Sequence, residues 1–353
     1  MRKEYNDRLV GWIQRRAANR FSGDIALVAA YGSHFNGTSN PWSDVDCYFI
    51  PKGPRGEEFG ADFILAGVGY DLFPISWERA QGIARLQEPL TPLIGDVTLL
   101  YADSPQDLER FHALQGELSR CLADEKLCHT RSLERFQKAV EAYSRLGLGN
   151  LAVRRAYAGR LLMLAAESVA LENGAYFHFG LKRQFEELQE LQKKPPNFLE
   201  AYLAVIRSET AAQMEAACKS LLRSLGAWLG ADWQPVPVPP APPNGKKNKK
   251  LGELAPWYEE LCSTFQKLRV CRDDGNWILA FLTGACLQEE LESLTAEYEL
   301  PFFSVLDAYC CDDLGPLVRA ADAVERDLAG RIEVCGGHIK RFATFEEFES
   351  ACL

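Results

Sequence analysis

Two aspartates, Asp44 and Asp46, stand two apart at the start of the apolar run "DVDCYFIP". Alternate residues of an extended strand project to one face, so both carboxylates point together while Val45, Cys47 and Phe49 point the other way. Paired carboxylates repel, and a hard divalent cation such as Mg²⁺, which prefers oxygen ligands, relieves that repulsion. An isolated Asp-x-Asp more often means an acidic turn, with Ser43-Asp44 capping the bend. Further features favour chemistry here. Gly32-Ser33 ends the preceding apolar run "DIALVAAYGS", where glycine lets backbone approach a phosphate and the serine hydroxyl can grip its oxygens. Asp71, in "GVGYDLFPIS", is an acid set in an apolar strand on the face of Phe73 and Ile75. An unpaired carboxylate buried there costs too much to be explained by packing.

A small set of elements must hold these residues. The segment "MRKEYNDRLVGWIQRRAANRF" reads as an amphipathic helix and not as a signal peptide, because it has neither a continuous apolar core nor a cleavage site. "DIALVAAY" and "DVDCYFIP" are strands, "ADFILAGVGYDLFPIS" is a third with a bend at Gly67 or Gly69, and "LIGDVTLLYAD" is a fourth. Helices follow at "SWERAQGIARLQ", behind a Ser N-cap, and at "SPQDLERFHALQGELSRCLADE", behind Ser-Pro. This alternation makes 1–128 an α+β unit around a small mixed sheet. Three-four apolar spacing makes 129–232 a helical bundle. "WQPVPVPPAPPNGKKNKK" makes 233–250 a semi-rigid proline-rich linker with a basic, solvated end, and 251–353 reads as a further, mostly helical unit.

Composition excludes some functions. With 353 residues, 47% of them hydrophobic and 25% charged, the chain has the make-up of a globular protein with two or three cores. No apolar run approaches the roughly 20 residues of a membrane span. Lys plus Arg is 39 and Asp plus Glu 49, and the net charge of −10 disfavours a nucleic-acid partner. Eleven scattered cysteines fit reduced thiols and a cytoplasmic location. "KKNKK" reads as a solvated spacer and "CGGH" as a turn, not as a nucleic-acid or zinc site. Trp42, Tyr176 and Phe179 are commonly packing residues, with base stacking the rarer use.

The stretch "GSHFNGTSNPWSDVD", followed by a third acid on a later strand, resembles the nucleotidyltransferase superfamily that includes DNA polymerase beta, in its minimal, antibiotic-modifying branch. That family's pattern is Gly-Ser, about ten residues, then Asp-x-Asp. Gly32, Ser33, Asp44 and Asp46 match it, with Ser43 in the usual preceding place. The helical region containing "AAESVALENGAYFHFGLKRQFEELQELQKKPPNF" is similar, more loosely, to the substrate domain of aminoglycoside and lincosamide nucleotidyltransferases. The unit beyond the linker departs from the minimal enzyme.

The resemblance implies Mg²⁺-dependent transfer of a nucleoside monophosphate, AMP from ATP, to a hydroxyl of a small molecule such as an antibiotic, with release of pyrophosphate. Asp44 and Asp46 would hold the metal, and Asp71 would be a third ligand or the general base. Gly32, Ser33 and Ser43 would meet the phosphates. In the helical domain it implies a Glu base and a basic phosphate ligand. Arg160 and Glu167, seven apart on one helix face, are candidates, although a solvated surface pair is the commoner meaning of such charges. Lys182 and Arg183, after the aromatic turn "YFHFG", are others. Resembled enzymes form their cleft within one chain or across a dimer, so a homodimer is among the expectations. The alternatives are a protein acceptor and a non-catalytic nucleotide-binding regulator; intact acids argue against the second.

Overall fold

The computed structural model describes residues 2–237, 250–298 and 300–352. Of the expected linker, residues 238–249 lie outside the described residues, and so do the first four of the basic run, 246–249. Among the described residues the fold is α+β. Strands β1 (Ile25–Tyr31), β2 (Asp46–Pro51), β3 (Ala61–Leu65), β4 (Val68–Pro74), β5 (Thr98–Ala102) and β6 (Arg341–Phe342) form one mixed sheet in the order β5-β1-β2-β4-β3-β6. β1 runs antiparallel to β2 and β5, and β2 runs parallel to β4. The near-continuous apolar run of β1 is buried almost end to end, as a central strand covered on both faces requires.

One bent strand was the expectation for the segment around Gly67, and the structure has a hairpin instead. The chain reverses at Ala66-Gly67, where φ is 50° and 80°, a two-residue turn whose twist matches that of the flanking strands. Leu65 therefore pairs with Val68, and Asp62 with Asp71. Gly69 serves another purpose. A Cβ there would lie 2.3 Å from the Glu259 carbonyl oxygen, so its bare backbone admits the helix Ala255–Asp274 against β4.

The chain divides into two compact units. The first comprises Met1–Asp124, Gly252–Gln266 and Ile332–Leu353, and the second Glu125–Leu251 and Lys267–Arg331. The stretch 251–353 is thus not a unit of its own: both its ends belong with the sheet. Local pairing and packing give the reason. β6 extends the sheet edge, with the Ile64 N–H donating to the Lys340 carbonyl and the Ala66 N–H to the Phe342 carbonyl, each at 2.8 Å. Phe345 and Phe348, on the helix Phe345–Ala351, enter the core beside Leu9, Trp12 and Phe63. The Phe348 ring stacks on Phe63 at 4.4 Å and meets Trp12 edge-on at 4.9 Å. Such aromatic pairs add about 0.5–1.5 kcal/mol each beyond the area they bury. Leu9, Trp12, Ile13 and Ala17 present one face of the helix Arg2–Arg20 to this core. Arg8, on the same helix, binds Glu346 at 2.6 Å and covers the Phe345 ring at 4.1 Å.

In the second unit the helices Glu125–Arg145, Leu151–Glu172, Phe198–Ile206 and Ala211–Leu229 form the bundle that the apolar spacing anticipates, joined by Trp277–Glu297. A Cβ at Gly159 would stand 2.3 Å from the Ala285 Cβ, so glycine lets two of these helices touch. Among the described residues no helix is long and apolar enough to cross a membrane.

Candidate active site

Sheet register gathers the acids. Tyr31 pairs with Asp46, so the turn that follows β1 lies beside the start of β2. In that turn Gly32 has φ +80°, and a Cβ there would stand 2.0 Å from Asp46 Oδ2. Glycine is therefore needed to leave the Asp46 carboxylate its place, a constraint additional to any phosphate approach. β2 begins at Asp46 and not at Asp44, which belongs to the irregular segment before it; Val45, between them, is buried in the core. Parallel pairing aligns Cys47 with Leu72, which sets Asp46 beside Asp71 one position earlier.

Asp44, Asp46 and Asp71 line one cavity of about 490 Å³, with Phe73 on the strand face of Asp71. The volume is that of a small-molecule site. Its other walls include Tyr31, Arg79 of the helix Trp77–Ala84, and Glu260 and Ser263 of the helix Ala255–Asp274.

The charge in this cavity is lopsided. Burial, first of all, pushes the Asp71 carboxyl up to about 8; the hydrogen bond it shares with the Asp62 carboxyl opposite, and the charges of Glu260 and Asp46, push the same way. Burial also raises the Tyr31 phenol well above its ordinary value, and Asp46, Asp44 and Asp71 add to the effect. The Arg79 guanidinium on the wall pairs with Glu88 at 3.0 Å. The carboxylates of Asp44, Asp46 and Asp71 are the hard oxygen donors that Mg²⁺ takes, and a cation bound there would ease the burial that holds a proton on Asp71. Among the described residues no three His, Cys, Asp or Glu side chains are already drawn together around a metal position.

The other sequence candidates are placed as follows. Ser33 opens the short helix Ser33–Asn36, in which the Phe35 and Asn36 N–H groups both donate to the Gly32 carbonyl at 3.2 Å. The Ser43 hydroxyl accepts from the Asn40 N–H at 2.9 Å, and its carbonyl accepts from Asn6 Nδ2 at 3.0 Å. Glu167, Arg160 and Lys182 belong to the second unit. Arg160 and Glu167 do not form the intrahelical pair: Glu167 binds Arg135 at 3.1 Å and Arg160 binds Glu289 at 3.7 Å. Burial pushes Glu167 up to about 7 against the opposing pull of Arg135. Lys182 lies in the turn Gly180–Arg183, where Arg183 covers the Phe179 ring at 4.8 Å.

Besides Arg79, four site residues escape a reading of the sequence by motif. Asp62 is recoverable, because a hairpin centred between Ala66 and Gly67 pairs 65 with 68 and hence 62 with 71. Tyr31 is recoverable as the residue that ends β1. Glu260 and Ser263 carry no such signal, since only a tertiary contact, through Gly69, brings their helix to the cavity.

No family model and no curated protein matches the chain. Among solved structures, a nucleotidyltransferase-like protein from Exiguobacterium sibiricum 255-15 is similar over 62% of this chain and 78% of its own, with a TM-score of 0.34 and 15% identity.

Proposed function

We propose that the chain is a nucleotidyltransferase that takes a nucleoside triphosphate, ATP, with Mg²⁺, and places the nucleoside monophosphate on a hydroxyl of a small molecule. Aminoglycosides and lincosamides are the acceptors that the sequence resemblance suggests. The observation that carries this reading is the convergence of Asp44, Asp46 and Asp71, from separate segments, on one cavity beside the Gly32 turn. Asp44 and Asp46 are the residues to hold Mg²⁺, which when bound would neutralise charge on the phosphate oxygens. Asp71 either joins them as a ligand or, in its ionised form, takes the proton of the acceptor hydroxyl. In the transfer the acceptor oxygen bonds to the α-phosphorus in line, the bond from that phosphorus to the pyrophosphate oxygen breaks, and the hydroxyl proton passes to a carboxylate. Glu260, which lines the same cavity and adds its charge to that of the aspartates, favours an acceptor that carries positive charge.

The test is pyrophosphate release and label transfer from α-labelled ATP with Mg²⁺ across a panel of aminoglycosides, lincosamides and proteins. Acceptor-dependent release is expected, with Asp44→Asn and Asp46→Asn each slower by at least about 100-fold. Silence across the whole panel, with Asp44→Asn binding nucleotide as the parent does, would sink the proposal. Tight nucleotide binding without Mg²⁺ and without turnover would put a regulatory role in its place.

A further inference from the structure

Three segments carry the residues of the site, and adjacent residues of one helix reach all three. Asn6, on the helix Arg2–Arg20, is 3% exposed. Its Nδ2 donates to the Ser43 carbonyl at 3.0 Å, and its Oδ1 accepts from the Tyr70 hydroxyl at 2.6 Å. A carbonyl only accepts, so the amide has one orientation here, and a single side chain joins the residue before Asp44 to the residue before Asp71. The next residue, Asp7, meets Nε2 of His34 at 3.2 Å, one residue after Ser33. No other side-chain type of this size both donates and accepts across such a gap: aspartate lacks the donor, and leucine would remove both bonds.

We infer that Asn6 is a positioning residue that sets the spacing between Asp44 and Asp71 and thereby the cation affinity of the cavity; the inference rests on the reading of these acids as a cation site. Tyr70, 5% exposed and stacked on Phe63 at 5.4 Å, is the fixed end of the link. The Ser43 loop is the end that is held. Within the loop the Ser43 N–H donates to the Asn40 carbonyl at 3.1 Å, the Asn40 N–H to Ser43 Oγ at 2.9 Å, and the Trp42 N–H to Asn40 Oδ1 at 2.7 Å.

The experiment compares the full chain with Asn6→Ala, Tyr70→Phe and the double variant, using Mn²⁺ alone as an EPR-visible probe and hydrogen exchange over 40–47. Gln14→Ala, which removes a contact of the same helix with the Leu100 carbonyl, is the control and should bind Mn²⁺ as the parent does. Each single variant should bind Mn²⁺ about 10-fold more weakly and exchange faster over 40–47, and the double variant should be no worse than the weaker single. Folded variants with parental exchange over 40–47 overturn the inference, and so does faster exchange with unchanged Mn²⁺ affinity, which would make Asn6 merely structural. Should Asn6→Ala fail to fold, Tyr70→Phe, which removes one oxygen, gives the same comparison. A parent that binds no Mn²⁺ counts against the nucleotidyltransferase reading instead; the exchange comparison then decides alone whether Asn6 holds the loop.

Discussion

At Gly32 a backbone angle and a carboxylate position make the same demand. Gly32→Ala puts a side chain into a backbone conformation, φ 80° and ψ −165°, that is essentially confined to glycine, at a cost of about 1–3 kcal/mol, and drives its methyl group into Asp46. We expect a lower thermal midpoint and at least about tenfold weaker Mn²⁺ binding, read by melting and by EPR on the same sample. Asp71 yields a pH signature. Its folded value, about 8, lies above the ordinary 3.8. Its contribution to stability is therefore whole below pH 3.8 and is lost as pH rises through 8. A divalent cation competes with that proton, so the rise in melting temperature on adding Mg²⁺ should grow from about pH 6 to about pH 8. Asp71→Asn should flatten this profile; a shift that is the same at every pH would count against Asp71 as a carboxyl in contact with the cation.

The elements that hold these residues differ in how openly they announce themselves. The Gly-Ser turn, the Asp-x-Asp segment and the embedded Asp71 are legible because each breaks an apolar pattern at a place where a core strand should stay apolar. The hairpin at Ala66-Gly67 is harder to see. Alanine is rare at positive φ, so the dipeptide lacks the usual turn chemistry and the two short strands run together as one. β6 spans only Arg341–Phe342 and has no periodicity to read; its partners are Ile64 and Leu65 of β3, far away in the chain. The helix after β6 should nonetheless matter to the sheet. Phe348→Ala removes a fully buried ring and should destabilise the first unit by about 3–5 kcal/mol, measured by urea unfolding. In the bundle, Arg135 and Glu167 form a pair with Arg135 3% and Glu167 18% exposed. Arg135→Met should cost about 3 kcal/mol at pH 8 by stranding the carboxylate, and less at pH 5, where Glu167, pushed up to about 7, is already protonated. Equal losses at both pH values would show that packing and not charge holds the pair.

For the molecule as a whole, the chain visits the sheet unit, leaves it, returns for Gly252–Gln266, leaves again, and returns for Ile332–Leu353. Hydrophobic spacing reports that 251–353 is helical, yet spacing is a local property and says nothing about which core a helix joins. A protease site inserted within 238–249 tests this arrangement. Because residues on both sides of the cut pack in the same unit, the pieces should remain together on gel filtration after cleavage and keep their Mn²⁺ affinity; a separate third domain would fall away. The same threading bears on synthesis. Asp71 leaves the ribosome about 10–40 s before Glu260 at roughly 5–20 residues per second, and β6 follows later still. Throughout that interval the acidic pocket lacks a wall and the edge of β3 lacks its covering strand, so the nascent chain presents an unpaired β edge that a holding chaperone would be well placed to cover.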